Sequence, residues 1–152
     1  MEREARFTLG GCELVGTIAV PGDDGPSPCV LLVPGSGQVD RDENHRKLRL
    51  NAFHDMARYL ARSGIASFRC DKRGVGQSGG DYWATGFHDR VDDARAAVQF
   101  LKRHPGIRPG MIVVLGHSEG AFIATRLAGD GTDLAGVIRV AGAAHSGEAV
   151  LR

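Results

Sequence analysis

Met111-Ile112-Val113-Val114-Leu115-Gly116-His117-Ser118-Glu119-Gly120 runs from five successive apolar residues into a Gly-x-Ser-x-Gly pattern. An uninterrupted apolar run of this length fits a strand buried on both faces. The residues from Glu119 to about Ala128 suit a helix, so the pattern falls where a strand turns abruptly into a helix. That setting gives the spacing a chemical reason. A strained turn lifts the Ser118 side chain above the sheet edge and leaves room only for small residues two positions away, Gly116 and Gly120. The helix aims its unpaired N–H groups at the same point, and the Glu119 N–H is placed to bind a developing oxyanion. Gly makes up 22 of the 152 residues, so the pattern alone says little. The competing explanation is a Gly-rich turn with an incidental Ser, and the flanking strand and helix favour the nucleophile.

The surrounding sequence repeats the same grammar. Cys29 to Val33 is a second continuous apolar run, ending at Pro34-Gly35. A helix is expected from about Asn51 to Ser63, where Phe53, Met56, Ala57, Leu60 and Ala61 recur at helical spacing and Gly64 supplies a stop. Ile65 to Cys70 reads as another buried strand, followed by a loop punctuated by Gly74, Gly76, Gly79 and Gly80. A helix from about His88 to Arg103 and a strand from Leu134 to Val140 complete the series. Residues 5–20 instead alternate like two strands joined at Gly10-Gly11, and Gly22-Asp23-Asp24-Gly25-Pro26 reads as a surface loop. The expected fold class is α/β: a mostly parallel sheet with helices on both faces and an N-terminal antiparallel ribbon at its edge. Sites in such sheets form beyond the carboxyl ends of the strands, which directs attention to the residues after Val33, Cys70, Leu115 and Val140.

The loop after Val33 bears on chemistry in two places. Pro34-Gly35-Ser36-Gly37-Gln38 is the expected source of a second oxyanion donor, the backbone N–H of Ser36, with Gly37 as a near alternative. A phosphate-binding loop is excluded because no Gly-Lys-Ser/Thr follows. Asp40-Arg41-Asp42-Glu43-Asn44 lacks the Gly and distal Glu of a calcium loop, so a salt-bridged or solvated loop near the pocket mouth is expected, and no metal.

Composition sets the remaining limits. Hydrophobic residues make up 42% and charged residues 24%, with a formal net charge of +1, so a folded core is expected and a nucleic-acid surface is not. The basic residues Arg46, Lys47 and Arg49 stand beside Asp40, Asp42 and Glu43 and compensate one another. Cys12, Cys29 and Cys70 show neither paired nor metal-ligand spacing and read as free thiols. With no leader or membrane-length apolar run in view, the expectation is a cytoplasmic protein that does not engage membranes.

Pro34-Gly35-Ser36-Gly37, Asp71-Lys72-Arg73-Gly74-Val75-Gly76-Gln77-Ser78 and Gly116-His117-Ser118-Glu119-Gly120, taken in order, resemble the α/β-hydrolase superfamily. The likeness is greatest to bacterial esterase-like members related to prolyl-oligopeptidase and serine-aminopeptidase hydrolases, and Asp40-Arg41-Asp42 after the first loop fits the same pattern. The resemblance implies a serine hydrolase of small carboxylic esters acting through an acyl-enzyme on Ser118, with no cofactor. Thioesters and peptides with a free amino end are the alternative substrates. It also implies a catalytic Asp and His on later strands, so residues 1–152 read as an incomplete hydrolase domain, inactive alone. A truncated or degenerate non-enzymatic chain is the competing view. Within the chain, His117 adjoins Ser118 and diverges from it, while His145 with Glu148 is the nearest thing to a base and acid. His45, His54, His88 and His104 read as surface or helix-flanking residues.

Overall fold

The computed structural model describes residues 1–22 and 25–144. Strands β1 (Glu2–Leu9) and β2 (Cys12–Ala19) form a hairpin whose turn residues, Gly10 and Gly11, both have positive φ (58° and 78°). Two successive left-handed residues give the tight turn whose twist matches that of the strands. The chain then alternates β3 (Ser27–Val33), α1 (Ala52–Arg62), β4 (Ala66–Cys70), α2 (Phe87–Lys102), β5 (Ile107–His117), α3 (Glu119–Gly129) and β6 (Gly136–Val140).

These strands form one sheet in the order β1-β2-β4-β3-β5-β6. β4, β3, β5 and β6 run parallel, and β2 joins β4 antiparallel, which places the hairpin at the sheet edge. Alternate residues of β3 serve opposite faces. Cys29, Leu31 and Val33 pack with α2 and α3, among Val91, Val98, Leu101, Ile123 and Leu127. Val30 and Leu32 pack with Phe53, Met56 and Leu60 of α1. A central parallel strand therefore needs an unbroken apolar run, and the expected α/β sheet with helices on both faces is the observed one.

Element ends follow from local chemistry. Gly64 (φ 76°) closes α1 with a Schellman pair, its N–H donating to Ala61 O and the Ile65 N–H to Leu60 O (3.2 and 2.9 Å). The start of α1 is held from a distance: the Asn44 side-chain oxygen accepts the N–H groups of Leu50 and Asn51 (both 2.8 Å). Gly86 precedes α2, and its N–H donates to Asp89 (2.8 Å). β5 starts at Ile107, four residues before the apolar run expected from Met111, because Ile107 already pairs with Ser27 on β3. On the α1 side of β5 and β6, Met111, Ile138 and Val140 are exposed.

Candidate active site

Ser118 lies between the last residue of β5 and the first of α3, with φ 51° and ψ −113°. A non-glycine residue in this region is strained by about 1–3 kcal/mol and persists only where its surroundings hold it. The neighbours show what holds it. A Cβ on Gly116 would run into the carbonyl of Gly120, and one on Gly120 would run into the carbonyl of Val33 at the end of β3. Strand end, turn and helix start thus meet backbone against backbone, with no room for a side chain. The Ser118 N–H donates to Val140 O on β6 (2.9 Å), which continues the β5–β6 ladder into the turn.

The loop after β3 lies against this turn. A Cβ on Gly35 would sit 3.3 Å from Ser118 Cβ and 3.1 Å from His117 Nδ1. Ser36 is exposed, whereas Ser118 and Glu119 are half-buried. Among the described residues, neither the Ser36 nor the Glu119 N–H has an intramolecular acceptor.

Buried charges tie the loops together. Glu43 is 7% exposed, and its Oε1 accepts the Gly35 N–H (2.7 Å) and the His117 Nδ1 (2.9 Å). An ionised carboxylate can only accept, so this contact with Glu43 as a carboxylate requires a proton on His117 Nδ1. Lys72 donates from Nζ to Gly35 O and to Gly37 O, the latter at 2.9 Å. It also stands 3.7 Å from Glu119 Oε2. Burial pushes the Lys72 ammonium down to about 8, against the opposing pull of Glu119. Arg90 pairs with Glu119 Oε1 (2.7 Å) and lies over the Tyr82 ring, 4.9 Å from its centroid.

The acidic loop after Gln38 is salt-bridged. Asp40 Oδ1 accepts the N–H groups of Asp42 and Asn44 (both 2.9 Å), Arg41 pairs with buried Asp71 (2.5 Å), and Arg69 pairs with Asp42 (2.5 Å). A Cβ on Gly76 would strike the Asp71 carboxylate, whose Oδ2 accepts the Gln77 N–H (3.0 Å). Among the described residues, no three His, Cys, Asp or Glu side chains are grouped so that they could hold a metal ion.

The structure therefore brings Ser118, Glu119 and the Ser36 loop to one end of the sheet. It brings no described histidine ring into hydrogen bonding with Ser118; His117 is engaged by Glu43, and His104 lies beside Gly106, at the opposite end of β5. His145 and Glu148 lie outside the described residues. Glu43, Lys72 and Arg90 were not singled out by the sequence. Glu43 stands in a run of charges that looks solvated, and only the place of Lys72, two residues past a strand end, hinted at a role.

Strand order, parallel crossovers and a strained serine between strand and helix define an α/β-hydrolase fold. The chain belongs to the family described as serine aminopeptidase, S33, whose pattern matches residues 48–151. It is 33% identical over 148 residues to the esterase EstD of Thermotoga maritima, covering 97% of this chain and 34% of that protein. The chain thus spans about a third of that relative's length. Among solved structures, the α/β hydrolase GrgF from Penicillium sp. sh18 superposes with a TM-score of 0.80 at 22% identity, over 93% of this chain and 46% of that one. Est1E from Butyrivibrio proteoclasticus, solved with ferulic acid bound, gives 0.72 at 18% identity, over 88% and 50%. At these identities the structural likenesses speak to the fold alone. No helix among the described residues is long and apolar enough to cross a membrane.

Proposed function

We propose that Ser118 is the nucleophile of a hydrolase that cleaves small carboxylic esters. The observation that carries this reading is the strained Ser118 backbone, which persists at a strand–helix junction cleared of side chains by Gly116 and Gly120. The Ser118 hydroxyl attacks the ester carbonyl, giving its proton to a general base, and the N–H groups of Glu119 and Ser36, neither with an acceptor among the described residues, take the oxyanion. Collapse of the tetrahedral species expels the alcohol and leaves an acyl-enzyme, which water then hydrolyses. The name of the Thermotoga maritima relative favours esters over the alternatives, thioesters and peptides with a free amino end.

Residues 1–152 form part of a larger hydrolase domain in this proposal, with the general base and acid supplied from outside them. The absence of any described histidine hydrogen-bonded to Ser118 favours inactivity of this stretch by itself. The free thiols of Cys12, Cys29 and Cys70 suit a cytoplasmic setting. In the full-length protein, Ser118→Ala is expected to lower kcat on a p-nitrophenyl ester by at least about a thousandfold. Turnover retained by the purified, folded mutant would remove Ser118 from the reaction.

A further inference from the structure

Ser36 stands between Gly35 and Gly37, and Gly37 has a φ of 86°. A residue flanked by two glycines is set in the softest backbone the chain can make, since neither neighbour has a Cβ to restrict rotation. An oxyanion donor needs the opposite property, because its value depends on being aimed before the charge develops. Something other than the local backbone must fix the peptide that carries the Ser36 N–H.

We propose that Lys72 is a positioning residue for the oxyanion site, pinning the Gly35 and Gly37 carbonyls on either side of Ser36. This inference rests on the assignment of Ser36 and Glu119 as oxyanion donors. The link from carbonyl to donor is covalent geometry. The Gly35–Ser36 peptide is planar and trans, so the Gly35 C=O and the Ser36 N–H lie in one plane and point in opposite directions. Once the Lys72 ammonium holds the Gly35 oxygen, the direction of the Ser36 N–H is set. The second bond, to Gly37 O at 2.9 Å, fixes the following stretch of the loop as well. The preceding peptide is fixed from the other side, where the Gly35 N–H donates to buried Glu43 at 2.7 Å.

The same ammonium reaches the second donor residue, standing 3.7 Å from Glu119 Oε2. That oxygen is buried and has no hydrogen-bond partner among the described residues, and the Lys72 ammonium offsets its charge. Lys72 therefore contacts the loop that carries one donor and the side chain of the residue that carries the other. Its side chain is 9% exposed, and Leu31, Val33 and Ile123 wall the same small cavity of about 60 Å³. An ammonium in such surroundings is costly unless hydrogen-bonded and paired, and a Met of similar length would fit the apolar walls at lower cost. Lys72 is not needed to fill space; it is the donor to two carbonyls of one loop.

The test compares Lys72→Met, Lys72→Arg and Ser118→Ala in the full-length protein, with p-nitrophenyl butyrate as substrate and circular dichroism as the check on folding. Aiming a transition-state donor affects kcat and leaves ground-state binding alone. Lys72→Met is therefore expected to lose about 10- to 100-fold in kcat, with KM within about threefold, a smaller loss than deletion of a whole donor. Lys72→Arg, which regains N–H donors, is expected to recover most of that loss. A folded Lys72→Met with kcat within about twofold of the parent, beside an inactive Ser118→Ala, would overturn the role of Lys72 and leave the nucleophile intact. A fall in kcat/KM arising wholly from KM would overturn it too. Activity surviving in Ser118→Ala would sink the nucleophile assignment and this inference with it. If Lys72→Met does not fold, Lys72→Gln, which can serve one carbonyl only, is read by the same criteria.

Discussion

At the scale of single residues, the site is built from groups that are expensive where they stand. Ser118 holds a positive φ, Glu43 is a buried carboxylate that also has a positive φ (64°), and Lys72 is a buried ammonium. The cost of Lys72 is open to measurement by pH. Its ammonium is pushed down by burial to about 8, from an ordinary value near 10.5. Between those values the unfolded chain binds more protons than the folded one, so stability rises with pH. The penalty of burying the charge is present below about pH 8 and is relieved as pH climbs toward 10.5. The difference in unfolding free energy between the parent and Lys72→Met should therefore shift in favour of the parent across that window, read from urea unfolding at a series of pH values. A difference that stays flat would mean that Lys72 titrates as an exposed lysine does. Legibility at this scale was uneven. Gly116, Ser118 and Gly120 could be read because a strand–turn–helix junction imposes a fixed local spacing. Glu43 could not, because what distinguishes it is a contact with His117, 74 residues away, and a backbone conformation that sequence does not display.

At the scale of elements, the junctions matter more than the elements themselves. α3 can approach the end of β3 only because Gly120 has no side chain: a Cβ there would strike the Val33 carbonyl. Gly120→Ala should thus cost about 3 kcal/mol, at the upper end for overpacking, since rigid backbone cannot step aside. Gly129, in the same helix, has nothing within 4 Å of a built Cβ, so Gly129→Ala should be neutral or stabilising by up to about 1 kcal/mol. Comparing the two by chemical unfolding separates close approach from helix propensity, and equal effects would discredit the packing explanation. The strands and helices were legible from periodicity, because buried parallel strands need apolar runs and α1 needs one apolar stripe. The beginnings of elements were less so. The residues leading into α1 are held by Asn44 across several intervening residues, and β5 begins at Ile107 because its partner strand is already there. Both are tertiary effects with no local signature.

At the scale of the whole molecule, alternation of element types implied a parallel sheet, and the carboxyl-end rule directed attention to the end of the sheet where Ser118 stands. The order of the strands was not legible. β4 enters between β2 and β3, and that insertion depends on the fit of whole faces, including Phe68 of β4 against Phe7 of β1 and Phe100 of α2 at ring separations of 6.1 and 5.5 Å. The sheet brings Ser118, the Ser36 loop and Lys72 together from three separate strand ends, so the proposed function depends on the assembled sheet. The claim that most depends on that assembly is that Ser118 is the reactive group. Treating the full-length protein with a fluorophosphonate and mapping the adduct by mass spectrometry tests it directly. A single adduct on Ser118, lost in Ser118→Ala and slowed in Lys72→Met, is the expected result. An active ester hydrolase whose adduct maps to another residue would contradict it.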